Sequence, residues 1–219
     1  MLYRRVEQLE ARKAHNLEVT GSSPVPATLT FKKGKYRMTL KKENLDYSKY
    51  TYLHRKALGY YIKKNAFLTD EDRLALLNRA KVHDMDKLTL YQIWDKKKAS
   101  DYHRTHASHH VSELRKLGIN PDRLDYLECI FDMECAALTK PDKPLNAYDT
   151  LIVHYKDEYE NFKPYLEYLH MDSSYVAVNE SDLEFFKNLK VSDELILEDI
   201  NKYLENEDNV LKTLNLTIF

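Results

Sequence analysis

Four of the chain's nine histidines fall within eight positions, as His103, His106, His109 and His110. Imidazoles at that density are either a solvated surface run or the nitrogen ligands of a transition-metal site. The carboxylates and histidines around them decide between the two. Upstream, His83 and Asp84 are adjacent in KVHDMDKL, and His54 precedes His83 by 29 residues. Downstream, Asp132 follows Asp84 by 48 residues, and Glu128 stands one helical turn before it. Each has an ordinary reading alone. A histidine on an apolar helix face is commonly a hydrogen-bonded core residue, a His-Asp pair is an easily matched dipeptide, and acids at 125, 128 and 132 describe a solvated face. Together they form a nitrogen and oxygen donor set suited to one or two divalent ions of Mn, Fe, Zn, Co or Ni, with no thiolate required. Asp84 can bridge two ions where a histidine cannot easily do so. Two cations roughly 3.5 to 4 Å apart lower the pKa of a bridging water and clamp a phosphoryl oxygen.

The elements that must position these residues are helical. From residue 38 onward only Gly59 and Gly118 remain of the four glycines, and no segment sustains an alternation of apolar and polar residues, so the chain is expected to be all-α. Tyr50, His54, Leu58 and Tyr61 share one face of a helix over 47–64, which turns His54 inward. Thr69, followed by three acids, caps a second helix running through Leu74, Leu77 and Val82 to His83. Leu90, Ile93 and Trp94 suggest a short helix, with the lysines at 96–98 as a polar connector. A longer helix over His103 to Lys116 should end at Gly118, placing His103, His106 and His110 on one side and His109 about 100° away. The next opens with Asn120 as cap and Pro121 at its first position, and buries Leu124, Leu127, Phe131 and Cys135. Beyond Pro141 and Pro144, further helices are expected around 147–159 and 162–171, the latter started or kinked by Pro164. Ser181 and Glu184 form a capping box, and a final helix from Ser192 carries Leu197, Ile200 and Leu204 on one face.

The histidine and aspartate pattern resembles the HD superfamily of metal-dependent enzymes. Within it, HDMDK, a histidine six residues before a double histidine, and ECIFDME are similar to an uncharacterised bacterial and phage HD-like family with the pattern HD-x-x-K, H-x5-HH, E-x3-D. The matching residues are His83, Asp84, Lys87, His103, His109, His110, Glu128 and Asp132. The resemblance covers roughly 48–140. Two positions depart from it: Ala107 and Val111 stand where that family has Asn and Trp. The Gly-Tyr-Pro signature of the branch that hydrolyses cyclic di-GMP is absent. The resemblance implies an HD-domain-like helical bundle with His54, His83, Asp84, His103, His109, His110 and Asp132 as metal ligands, and with Asp84 and Lys87 as catalytic groups. Lys87 would reach a substrate phosphate or carboxylate. Glu128 would orient an imidazole from outside the coordination sphere, and His106 is the histidine the pattern does not require.

The expected activity is that of a metal-dependent phosphohydrolase acting on a nucleotide or another small phosphorylated substrate through a metal-activated water. One alternative is an HD-like di-iron oxygenase. Another is a non-enzymatic helical binding module, favoured if the histidines diverge in space. Composition fits these classes. With 219 residues, 43% hydrophobic and 32% charged, the chain can bury a substantial core, and no apolar run approaches a membrane span. Cys129 and Cys135 read as small packed thiols, and a cytoplasmic location is expected.

Residues 1–37 carry eight Lys and Arg against three Glu, and 180–219 carry ten acids against four Lys. Neither shows the spacing of a nucleic-acid reader motif, so a nucleic-acid partner is not expected. LEVTGSSPVPAT, residues 17–28, resembles the translation of a transfer-RNA gene, since Gly-Ser-Ser-Pro back-translates to a sequence containing the conserved T-loop. Residues 1–37 are therefore expected to be a poorly structured tail, with an alternative start at Met38. Residues 38–145 form the metal-binding domain, and 146–219 a helical extension that packs on it, acts as a lid or offers a homodimer surface.

Overall fold

The computed structural model describes residues 29–32, 35–38, 44–139, 146–173 and 180–218. The readings of 1–28 as tail and of the proline-rich break at 140–145 lie outside these residues. Two strands, β1 (Leu29–Lys32) and β2 (Lys35–Met38), pair antiparallel with Leu29 opposite Met38. This hairpin falls mostly in the stretch expected to be unstructured. The rest of the described chain is an all-α bundle: α1 (Leu45–Lys64), α2 (Asp70–Ala80), α3 (Met85–Ile93), α4 (Lys96–His106), α5 (Val111–Lys116) and α6 (Arg123–Thr139). After these come α7 (Ala147–His154), a 3-10 turn (Lys156–Glu158), α8 (Tyr159–Tyr168), α9 (Glu180–Asn188), α10 (Asp193–Tyr203) and α11 (Glu207–Ile218). Among the described residues, no helix is long and apolar enough to cross a membrane.

Two buried clusters hold the bundle together. In the first, Leu58 and Ile62 of α1 meet Leu76, Leu127, Phe131, Leu151, Phe162 and Phe186, joining α1 and α2 to α6 through α9. In the second, Leu88, Tyr91 and Ile93 of α3 and Ala99 of α4 meet Ile196 and Ile200 of α10, Leu204 and Val210. Helix α1 serves both, because Leu45, Tyr47 and Tyr52 near its start pack against the second cluster. Full burial of each large aliphatic side chain is worth about 1.5–3 kcal/mol, so α10 and α11 are fixed to α3 and α4 by ordinary core packing. Cys129 and Cys135 are buried free thiols.

Several local signals work as read. Thr69 caps α2, its Oγ1 accepting from Asp72 N at 3.1 Å. Gly118 takes φ +70° after α5, in a C-terminal turn where Ile119 N donates to Leu114 O. Ser192 caps α10.

Others are corrected. Helix α2 stops at Ala80, and it buries Leu76 while Leu74 and Val82 are exposed. The lysines at 96–98 open α4 instead of connecting to it. Asp95 caps the helix by accepting from Lys98 N, and the Lys96 and Lys98 ammonium groups sit over the Tyr47 and Trp94 rings at 4.6 and 4.3 Å. The expected long helix over 103–116 is broken at 107–110 into α4 and α5. Asp122, not Asn120, caps α6: its Oδ1 accepts from Asp125 N, while Asp125 Oδ2 accepts from Asp122 N. Pro164 lies inside α8, and Ser181 lies within α9 and not before it. Helix α10 is not the last, since α11 follows it, and α10 buries Ile196 while Leu197 is 38% exposed.

Candidate metal centre

Asp84 is the pivot of the site. A turn after α2 brings it to φ 59°, ψ 8°, the left-handed region, immediately before α3. Aspartate tolerates this conformation better than most residues, at roughly 1–2 kcal/mol. The reversal buries His83 and its neighbour Asp84 together, each 3% exposed.

Around Asp84 Oδ1 stand His103 Nε2 at 2.9 Å, His109 Nε2 at 3.6 Å and His83 Nε2 at 3.8 Å. His103 Nε2 and His109 Nε2 are 3.2 Å apart. On the other side, Asp132 Oδ1 from α6 lies 2.5 Å from His54 Nε2 and 3.6 Å from His83 Nε2. The donors form two triads, His54/His83/Asp132 and His103/His109/His110, and a third group, His83/His109/Glu128, that links them, each with its ligand atoms within 4.8 Å of one another. Asp84 Oδ1 stands between them. All seven residues anticipated as ligands are brought to one place. The break in the helix at 107–110 achieves this for His109 and His110, which a continuous helix would have turned to different sides.

The outward-facing ring nitrogens are also engaged. His83 Nδ1–H donates to Glu128 Oε1 at 2.9 Å, His103 Nδ1–H to Asp86 Oδ2 at 2.8 Å, and His54 Nδ1 lies 3.2 Å from Thr139 Oγ1. A carboxylate only accepts, so Nδ1 carries the proton in His83 and His103, and each ring presents Nε2 to the centre. Ligating histidines are typically oriented in this way. Glu128 is itself fixed by Arg79, whose Nη1 reaches Glu128 Oε2 at 3.2 Å and the fully buried Asp125 at 2.8 Å. The loss of an outer partner of this kind typically weakens a metal site 10–100-fold. Glu128→Gln is accordingly expected to reduce metal affinity by about that factor while leaving helix content unchanged, as checked by metal titration beside circular dichroism.

The donor set passes a direct test of fit. His83 Nε2, Asp84 Oδ1 and His110 Nε2 are fully buried side-chain atoms without a hydrogen-bond partner among the described residues. Asp84 Oδ1 comes close to His103 Nε2, but without hydrogen-bond alignment. Unmatched polar atoms are expensive to bury, and three at one point, from both triads and the residue between them, are what a pair of cations would satisfy.

The electrostatics carry the same signature. Burial opposes charge on His83, but Asp84, Asp132 and Glu128 outweigh it and raise its pKa to about 10. His103 is raised against burial by Asp86 and Asp84. Burial also opposes ionisation of Asp84 and Asp132. Lys87 and the histidines around Asp84 nonetheless hold it well below the usual carboxylate range, and His54 and His83 do the same for Asp132. His109 and His110 go the other way: burial and a neighbouring imidazolium keep them neutral, His110 lowered to about 3. A proton on His83 therefore does part of the neutralising work of a cation.

Lys87 Nζ donates to Asp84 Oδ2 at 2.8 Å, with its side chain 15% exposed. The structure thus places it on Asp84, leaving Oδ1 as the oxygen that faces both triads. His106 falls outside the triads. Its ring stacks on Tyr102 at 3.8 Å and its Nδ1–H donates to Tyr102 O. His154 is exposed, and His170, also exposed, stacks on Phe67. Asp86, Arg79 and Thr139 take part in the site without having been singled out. The second aspartate of HDMD was the one available signal for Asp86, whereas Arg79 and Thr139 are joined to the site only by the packing of α2 and α1 on α6.

Compared with known proteins, the chain matches no family model, no curated protein and no solved structure.

Proposed function

We propose that the chain is a dinuclear metal-dependent phosphohydrolase of the HD type, acting on a nucleotide or small phosphate ester. The convergence of two ligand triads on Asp84 Oδ1, with three buried donor atoms unmatched, is the observation that carries this reading. His54, His83 and Asp132 would hold one ion, His103, His109 and His110 the other, and Asp84 would serve both. Bound ions of this kind supply Lewis acidity toward a phosphoryl oxygen and an activated water.

The protein's own part is positioning. Glu128 and Asp86 fix the tautomer and angle of His83 and His103, and Lys87 restrains Asp84 Oδ2. The reading as a binding module is favoured by diverging histidines, and these converge. Manganese- or cobalt-dependent release of phosphate from a panel of nucleotides and small phosphomonoesters is the expected result. Oxygen uptake by iron-loaded protein, with no phosphate release under any metal, would replace this reading with the di-iron oxygenase.

A further inference from the structure

A cavity of about 240 Å³ opens beside the centre, lined by His83, Asp84, His103 and His109 on its inner side. Its outer wall comes from elsewhere in the chain: Tyr203 at the end of α10 and Lys212 on α11. The second core cluster fixes these helices in place, because Leu204 and Val210, which flank the α10–α11 turn, are buried against α3 and α4. The wall is therefore a built surface.

Resting on the reading of the centre as a phosphohydrolase, we propose that this cavity is its substrate subsite. In it, Lys212 and Tyr203 select a compact phosphomonoester whose leaving group is smaller than a nucleoside. Two observations support the choice of an anion. Lys212 is exposed and carries an ammonium to the rim, whereas the three acids that line the cavity, Asp84, Asp86 and Glu128, are already engaged by Lys87, by His103 and by His83 with Arg79. Tyr203 adds a hydroxyl that burial keeps protonated, a neutral donor for a phosphoryl oxygen. Size argues for compactness. Pockets for drug-sized ligands run from about 300 to 1,000 Å³, so this one takes a phosphoryl group with a few further heavy atoms, and a nucleoside would project past Tyr203 and Lys212 into solvent.

The test uses the full chain loaded with manganese, with metal content measured in every sample. Inorganic phosphate is titrated calorimetrically into wild type, Lys212→Glu and Tyr203→Phe. KM and kcat are then compared for a three-carbon phosphomonoester and a nucleoside monophosphate. The expected result is unchanged metal content in both variants and phosphate affinity reduced about tenfold or more in Lys212→Glu, equivalent to about 1.4 kcal/mol. KM for the small ester should rise more than kcat falls, and wild type should prefer the small ester. Equal phosphate binding by wild type and Lys212→Glu at full metal content overturns this inference alone, as does a preference for the nucleoside monophosphate. Failure of wild type to bind metal overturns the phosphohydrolase reading and the subsite with it.

Discussion

Asp84→Ala is expected to lower phosphate release by at least about 10³-fold, and Asp84→Asn by a comparable factor. A Lewis-acid centre supplies several kcal/mol of transition-state stabilisation, and each 1.36 kcal/mol is a factor of ten in rate. Asp84 Oδ1 faces the Nε2 atoms of His83, from one triad, and of His103 and His109, from the other, so on the proposed reading its loss would affect both ions at once, whereas loss of a single histidine would affect one. The alanine variant has a second consequence. It leaves Lys87 and the imidazoles of His83 and His103 facing one another without their anion, and breaking a buried ion pair from one side typically costs about 3–5 kcal/mol. The asparagine variant removes the charge but keeps the side-chain shape, so comparing thermal unfolding of the two separates loss of activity from loss of fold. An Asp84→Asn protein that is folded, metal-loaded and active near the wild-type rate would remove Asp84 from the centre.

Metal should stabilise the protein, and the gain should grow with pH. Without a cation, His83 is protonated up to about pH 10, and ligation requires it neutral, so metal binding at pH 7 releases at least this proton. Affinity then rises about tenfold per pH unit for each proton displaced, and the increase in melting temperature on adding manganese should be larger at pH 8 than at pH 6. The metal-free protein has its own dependence. The raised pKa of His83 contributes stability that is complete below about 6.5, its unfolded value, and is lost as pH rises toward about 10. His110, lowered to about 3, acts in the opposite sense. The unfolded chain takes up a proton below about 6.5 that the folded chain refuses, so stability falls as pH drops from there toward 3. A manganese-induced shift that is absent, or that shrinks between pH 6 and pH 8, would contradict this assignment of protons.

The parts of the fold legible in the sequence were those governed by short-range rules. The Thr69 cap, the start of α10 near Ser192, the Gly118 turn and the inward face carrying His54 each follow from residues within one or two turns. The break at 107–110 did not, because Ala-Ser-His-His contains no glycine or proline and the local pattern favours a continuous helix. Tertiary context overrides it, with His109 and His110 turned to join His103. The lysines at 96–98 misled because positive charge is unfavourable at a helix start, and the signals that offset it, the Asp95 cap and the stacking on Tyr47 and Trp94, depend on partners beyond the run. The ligand residues were readable by type, spacing and resemblance. The groups that orient them were less so: Arg79 and Thr139 reach the site through helix packing, and Tyr203 and Lys212 reach the cavity from helices with no catalytic pattern of their own.

The central claim is tested most directly by elemental analysis of chain purified without chelator, beside the His83→Ala, Asp84→Ala double variant. Two transition ions per chain in wild type, lost in the variant, is the predicted result. No ion in either protein, even after reconstitution with manganese, iron, zinc, cobalt and nickel in turn, would contradict it and leave the converging histidines as a buried hydrogen-bonded cluster.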